Sequence, residues 1–468
     1  MKLWKPAALT LALAAAYPLA AQAQSNADLL KELKALKDRV GELEKKLQEK
    51  PAAPAAGDKQ WGMTPEQVQE FNRISVKTEA LEDSRDALGF KGLKISGYID
   101  PAYIYNKKQH RAGFQFLNPV GDDGYNYDNS YFGAAQLDFQ KETDSGVKWR
   151  LTLMPNRGAG SVIGDNSIVH EASVSVPLGD LQTRLLAGQI PDWSGYEYLP
   201  ATQNKLITHN LLFDFTLPTA YTGAGVEFIR GKWDTKVMLA NVNASRRQPN
   251  EKAPVLVYRV DYSKGEYQGF GFAGLNGKIA NFNADPATGE QSKDTMANLL
   301  EADAYFIRGD WTIQGQISYG TQKKAAISPD PDSGELRDAR WWGLSALAAY
   351  KFTPRLEGIA RADYINNKKN GGGLLGYTGY FAPGDGEGTP NVFGDYRNGI
   401  GAAPDGDPNI GANRYALSFG LGYAFDSSTT LKVEYRLDRA NQAVFVDAKD
   451  GSFSKSNQLL GASVVVAF

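Results

Sequence analysis

From residue 92 to Phe468 the chain alternates short and long connections without exception. The segments they join number sixteen, each alternating apolar and polar residues. They lie at roughly 92–106, 129–141, 146–155, 167–177, 181–190, 220–230, 233–242, 254–263, 268–281, 296–308, 311–320, 339–352, 355–366, 413–425, 429–438 and 456–468. The short connections include "ETDSG" (142–146), "PLGD" (177–180), "KGEYQ" (264–268), "GD" (309–310), "TP" (353–354) and "DSS" (426–428). The long ones are 107–128, 156–166, 191–219, 243–253, 282–295, 321–338, 367–412 and 439–455. An up-and-down barrel with both termini on its tight-turn side must have this pattern, whereas a sandwich or propeller need not sort loop length by side. The expectation is a closed antiparallel up-and-down transmembrane β-barrel of about 16 strands, because most segments are near the ~9–11 residues a tilted spanning strand needs.

The two faces of single strands agree. In 413–425 Tyr415, Leu417, Phe419, Leu421 and Tyr423 share one face, with tyrosine at both ends of the apolar row. An interfacial girdle predicts that placement, with the charged face turned to a lumen. The last strand carries Leu460, Ala462, Val464 and Val466 on one face and ends at Phe468. Pairing with the first strand would leave no open edge in hydrocarbon. The same ladder resembles the C-terminal signal by which bacterial outer-membrane barrels are recognised for insertion, which implies the barrel-assembly machinery as a partner.

Before the strands, Lys2 and Lys5, the apolar run 6–20 and "AQA" at 21–23 read as a signal peptide over 1–23. Residues 26–49 repeat in heptads. Leu33, Val40 and Leu47 fall at one seam position, and Leu29, Leu36 and Leu43 at the other. Glu32 faces Lys37, and Arg39 faces Glu44, pairs that favour parallel identical chains. Three heptads are short for independent stability, so a larger body must help hold the chains together. A homo-oligomer, with three copies favoured over two, is the expectation. A Pro/Ala linker over 50–63 precedes a second helix at 64–91, with Thr64, Pro65 and Gln67 as its capping signature. This helix is expected to hang below the barrel in the periplasm or to enter the pore.

The 51 basic and 53 acidic side chains give no case for nucleic acid, and the absence of cysteine removes disulfides, thiolate catalysis and Cys-type zinc sites. His110, His170 and His209 show no metal spacing, and nothing favours a Ser/His hydrolase. The acidic turns 328–335 and 404–409 suit solvated loops better than Ca²⁺ sites. No enzyme, cofactor or metal is expected.

Within 185–228, "LLAGQI", "GYE" at 195–197, Asn204, Pro218 and "GAGVEF" at 223–228 resemble the OmpL-like β-barrel porin family. The N-terminal coiled coil looks like the extension of some sugar porins. The resemblance implies a pore-forming protein of the bacterial outer membrane. It supplies no substrate.

Selectivity of such a pore comes from charge and constriction. Alternation places Lys94, Lys148, Arg150, Arg184, Lys236, Arg259, Arg355, Arg361, Arg414, Lys432 and Arg436 inward. It does the same for Asp100, Asp138, Glu171, Glu227, Asp234, Asp261, Glu301, Asp303, Glu357, Asp363, Glu434 and Asp438. Eleven against twelve predicts a balanced lumen with weak ion selectivity. The third long connection, 191–219, is the candidate constriction, since the third loop of general porins folds inward. Asp192, Trp193, Tyr196, Glu197, Tyr198, Lys205 and His209 are its candidate solute contacts; alternatively its aromatics only pack the loop on the wall. The functional expectation is a passive diffusion channel for small hydrophilic solutes, in contact with outer-membrane lipids. Its rivals are a channel specific for sugars or organic acids and a non-conducting barrel tethered through its coiled coil.

Overall fold

The structure is a computed structural model. It describes residues 64–87, 91–117, 132–155, 168–242, 254–279, 294–326, 332–367 and 411–468, with 330, 369, 400, 401, 403, 406, 407 and 410. The signal-peptide, coiled-coil and linker segments lie outside the described residues. Two compact units divide at Gly89 and Phe90.

The first unit contributes helix α1 (Pro65–Ala87). Thr64 and Gln67 close its N-terminus reciprocally. Thr64 N donates to Gln67 Oε1 at 2.9 Å, and Gln67 N donates to Thr64 Oγ1 at 3.2 Å. Val68, Phe71 and Ile74 are exposed along it. Among the described residues no helix is long and apolar enough to cross a membrane, which says nothing of strands.

The second unit is an antiparallel sheet closed on itself. Its strands are β1 (Leu93–Ile99), β2 (Ala102–Asn106), β3 (Arg111–Gln115), β4 (Ala135–Glu142), β5 (Lys148–Leu153), β6 (Val169–Leu178) and β7 (Asp180–Pro191). They continue with β8 (Ala220–Arg230), β9 (Trp233–Val242), β10 (Val255–Ser263), β11 (Gln268–Ile279), β12 (Thr295–Arg308), β13 (Trp311–Gln322) and β14 (Ala339–Lys351). The last are β15 (Leu356–Asn366), β16 (Arg414–Ala424), β17 (Thr429–Ala440), the small hairpin β18 (Phe445–Val446) and β19 (Phe453–Ser454), and β20 (Ser456–Ala467). β1 runs on into β2, and β3 and β4 pair in turn with β2 and β1, so the eighteen segments of the sheet make sixteen staves.

Closure is where the sequence places it. β20 pairs with β17 on one side and with β1 and β2 on the other. Gly97 and Phe468 exchange both backbone bonds at 3.0 Å. The Phe468 ring covers Gly97, where an added Cβ would come within 2.7 Å of it, so the seam needs glycine there.

The second stave differs from the expectation of a long loop at 107–128. Residues 107–110 are a tight hairpin, β3 follows, and the chain leaves the sheet before rejoining it at β4. Leu117 N bonds Gly133 O at 2.8 Å, which pinches the excursion shut at its base. Opposite that point the first stave is itself interrupted at Pro101, which has no N–H to give the ladder. Asp447 anchors the β18–β19 hairpin over the 107–110 turn, accepting from Lys108 Nζ at 3.1 Å and lying 2.6 Å from His110 Nε2.

Outward side chains are apolar and exposed, as an outer-membrane-type barrel requires: Leu239, Leu300, Ile317, Phe419, Leu421 and Leu460 are each about half exposed or more. Aromatic contacts gather at both rims. Trp233, Tyr262, Phe270 and Phe272 join at the short-turn rim, with Trp311, Tyr350 and Phe352 beside them. Tyr103 meets Phe114, and Trp342 meets Tyr364, at the other rim.

Inward side chains are not polar throughout. Met238, Val255, Val257, Leu275, Leu299 and Trp341 form a buried apolar cluster toward the long-loop end of β9–β14, and Trp193, Phe213 and Leu217 pack on it. The lumen is there filled by protein, and inward positions become core positions. Trp341 lies flat on Gly320, where a Cβ would stand 2.1 Å from the indole.

Candidate functional site

The connection 192–219 lies inside the barrel. Its partners fix this, because each is an inward side chain of the wall. The loop starts at Asp192, whose carboxylate accepts from Ser194 N and Ser194 Oγ at 3.0 Å and from the Tyr221 hydroxyl. Burial pushes the Asp192 carboxyl up to about 7, against the pull of those donors. Tyr196 reaches across to Ser345 Oγ on β14 at 2.5 Å. A 3-10 turn (Ala201–Gln203) and a short helix, α2 (Leu211–Thr216), shape the remainder. Asn210 caps α2, its Oδ1 accepting from Leu212 N at 2.9 Å and Phe213 N at 2.8 Å. Leu211, Leu212 and Phe215 pack with Ile365 and Ala416 of the wall.

Charges of β15–β17 bind the loop. Arg361 is fully buried and donates to Glu197 Oε1 at 2.8 Å, Thr208 O at 2.6 Å, Thr208 Oγ1 at 2.9 Å and His209 O at 2.8 Å, while also pairing with Asp363 at 3.1 Å. Glu434 accepts from Ile207 N and Thr208 N at 2.8 Å and from Thr208 Oγ1 at 2.6 Å. Arg436 donates to His209 O at 2.6 Å and pairs with Asp438. Lys432 donates to Ala201 O at 2.6 Å and Asn204 O at 2.5 Å. Lys205 and Glu357 close the set at 2.7 Å. These groups complete the hydrogen bonding of a buried loop backbone, which would otherwise lose several partners to water exclusion.

The seven loop candidates therefore divide. Tyr196, Glu197 and His209 are almost fully buried and face the wall, and Trp193 packs in the apolar cluster. Burial holds the Glu197 carboxyl above its ordinary range and drives the His209 imidazole down to about 3, so that His209 is neutral and stacks on Phe213 at 4.2 Å. Tyr198 is 43% exposed. Its backbone is clamped: Asn204 Oδ1 accepts from Tyr198 N at 2.9 Å, Asn204 Nδ2 donates to Tyr198 O, and His209 Nε2 lies 2.9 Å from the same oxygen. Tyr198, Thr202 and Gln203 are the exposed edge of the loop.

Of the twelve singled-out lumen charges, Arg361, Lys432, Arg436, Glu357, Asp363 and Glu434 lie on the wall that the loop covers. Arg150, Arg184, Arg259, Glu227 and Asp261 lie on the wall it leaves. Arg150 bridges Asp138 at 2.8 Å and Glu171 at 3.3 Å, and Lys236 bridges Asp234 at 2.6 Å and Glu227 at 3.3 Å. Arg259 bridges Asp261, Asp303 and Glu301. Arg184 is tied to Ser175 and to Gly146 O near the short-turn rim. Arg355 sits exposed in the turn between β14 and β15 instead of in a strand, because the ladder of β15 opens only at Leu356. The ladder Leu460, Ala462, Val464 and Val466 faces outward, with Phe468 exposed at its end. Sequence reasoning missed Thr208 and Ser345, small polar residues that carry loop-to-wall bonds, and Asn210, which caps α2 within the loop. Their one signal is polarity at positions of no charge.

No group of three or more acidic, histidine or cysteine side chains among the described residues is arranged for a metal ion. Asp330, in one of the acidic turns, spends its carboxylate on Asp332 N and Ser333 N at 3.0 Å.

No curated protein matches the chain. Among solved structures, an anion-selective porin from Comamonas acidovorans is 11% identical, with 80% of this chain and 99% of that one aligned at a TM-score of 0.51. The outer membrane channel DcaP of Acinetobacter baumannii is 12% identical, covering 80% and 97% at 0.47. OmpT of Vibrio cholerae in its trimer form is 10% identical, covering 80% and 99% at 0.48. At such identity the first of these bears on the fold alone, as a porin-like barrel. The family model described as "Protein of unknown function (DUF3138)" matches residues 62–468, taking in α1 and the whole barrel, and the chain belongs to that family.

Proposed function

We propose that this protein is a porin of the bacterial outer membrane, a passive channel for small hydrophilic solutes. The observation that carries the reading is the asymmetry of the lumen. A loop folded inside the barrel is bonded to one wall, while charged and polar side chains of the opposite wall, Lys148, Arg150, Asp234 and Asp261 among them, keep contact with water. A barrel built only as an anchor needs no water-facing charge inside. The apolar outer face and aromatic rims suit outer-membrane lipid, and the resemblance of 185–228 to the OmpL-like porins agrees. Solute contact falls to Tyr198 and Lys205 on the loop.

Residues 1–23 would direct export, the seam of Leu29, Leu33, Leu36, Val40, Leu43 and Leu47 would join three copies on the periplasmic side, and Leu460 to Phe468 would be read by the assembly machinery.

The test is single-channel recording of the purified protein in a planar bilayer. Current steps arriving in threes are the expected result. A correctly folded barrel that passes no current would overturn the reading in favour of the tether. Deleting 26–60 separates the two further, since a pore keeps its unit conductance without the coiled coil. A specific channel would show saturable block of ion current by a sugar or an organic acid.

A further inference from the structure

The inward charges balance over the barrel as a whole, but the structure segregates them. On β14–β17 they are buried and bonded to the loop or to one another. From β1 to β7 the described inward positions hold five cations, Lys94, Arg111, Lys148, Arg150 and Arg184, against four carboxylates, Asp100, Asp138, Glu142 and Glu171. The strip β8–β12 is different. Glu227, Asp234, Asp261, Glu301 and Asp303 share it with Lys236 and Arg259, the only inward cations of those strands among the described residues. Both cations are fully engaged: Lys236 by two carboxylates and Arg259 by three. Arg259, Glu301 and Asp303 are nearly buried among themselves, and Glu227 is 14% exposed, so the two most exposed carboxylates of the strip, Asp234 and Asp261, stand against one partly exposed cation, Lys236.

The excess is open to water. The side chains of Asp234 and Asp261 are 31% and 34% exposed. Tyr198 of the loop is 43% exposed and lies in the field of Arg259, Asp303, Asp261 and Lys236. The Tyr198 backbone is clamped by Asn204, which fixes the place of the residue on the loop.

We propose that this acidic strip makes the passage cation-selective, favouring small monovalent cations and solutes that carry an ammonium or guanidinium group. The inference rests on the pore reading above. Fixed negative charge against a low-dielectric wall concentrates cations locally and depletes anions.

The experiment is the reversal potential of the full protein in a planar bilayer under a KCl gradient. The expected K⁺-over-Cl⁻ permeability ratio is about threefold at ~0.1 M salt, falling toward one at ~1 M, from one uncompensated charge acting across water. The double variant D234N/D261N removes both exposed carboxylates and leaves Lys236 paired with Glu227 and Arg259 with Asp303. Its ratio should fall to about one. Retention of correct folding is checked by heat-modifiable electrophoretic mobility. Absence of current from folded protein overturns the pore reading itself. Current with a wild-type ratio at or below one overturns this inference and leaves the pore intact, as does an unchanged ratio in the folded double variant. The wild-type measurement decides the matter whether or not the variant folds.

Discussion

Replacing Arg361 with methionine isolates what holds the loop inside the barrel. The side chain is fully buried and makes four bonds to the loop, to Glu197, to Thr208 twice and to His209. Methionine fills much of the volume and makes none of them. Glu197 then keeps the Asn210 N–H at 2.5 Å, and Asp363 keeps Ser345 at 2.7 Å, but both carboxylates lose their counter-charge. Breaking one side of a buried ion pair costs about 3–5 kcal/mol. The backbone ladders on either side of Arg361, to β14 and to β16, do not use its side chain. The loss therefore falls on docking of 192–219, and shifts the docked-to-released ratio by a factor between about 10² and about 5 × 10³. Limited proteolysis in detergent reads this, because cleavage tracks the population of the open form when reclosing is fast. R361M should be cut within 192–219 far faster than wild type while the barrel keeps its heat-modifiable mobility. The double variant E197Q/R361M should recover part of the loss, since it removes one stranded charge. Wild-type cleavage in a folded R361M barrel would refute the reasoning. So would loss of the barrel with no separate loop phase.

Three further outcomes follow from the same geometry. Asp192 carries a carboxyl raised from 3.8 to about 7 when docked, so its contribution to docking is full below 3.8 and is lost as pH rises through 7. Measured against wild type by the same proteolysis, D192N should therefore gain relative protection across that window, by up to ~1.4 kcal/mol per pH unit; a pH-independent difference would exclude Asp192 as the source. N210A removes the α2 cap and should cost about 0.5–2 kcal/mol, seen as a roughly 2- to 30-fold rise in loop cleavage. G320V places carbon on the Trp341 indole in a filled part of the lumen, and about 1–3 kcal/mol of overpacking should lower the unfolding temperature of the barrel.

The barrel was legible in the chain because a membrane imposes its rules on every strand at once. Each stave from β4 to β20 must present apolar residues to lipid at every second position, and each tight turn must be short, so period and loop length report the same architecture independently. The second stave escaped because its evidence is broken. "RAGFQ" at 111–115 is too short to announce itself, and its continuation at Ala135 is separated from it by the excursion that Leu117 and Gly133 close. The inward apolar cluster escaped for another reason. Val255 and Val257 look like ordinary strand residues, and only the arrival of Trp193 and Phe213 from a distant loop makes the positions between their outward neighbours a core.

The site was legible in position but not in role, and the reason bears on how such channels set selectivity. Alternation finds which charges point inward; it does not find which are spent. Arg361, Lys432, Arg436 and Glu434 look identical in sequence to Arg150, Asp234 and Asp261, yet the first four are consumed in binding a backbone while the others remain beside water. A total over the whole lumen therefore averages structural charges with conducting ones. Once the loop removes β14–β17 from the tally, the inward charge left on β8–β12 is acidic, which is the ground of the selectivity proposed above. The same logic explains why Glu197 and His209 are poor solute contacts despite their chemistry. A loop that must be buried inside a barrel needs partners for its own polar groups first, and its most reactive-looking side chains are the ones best suited to supply them.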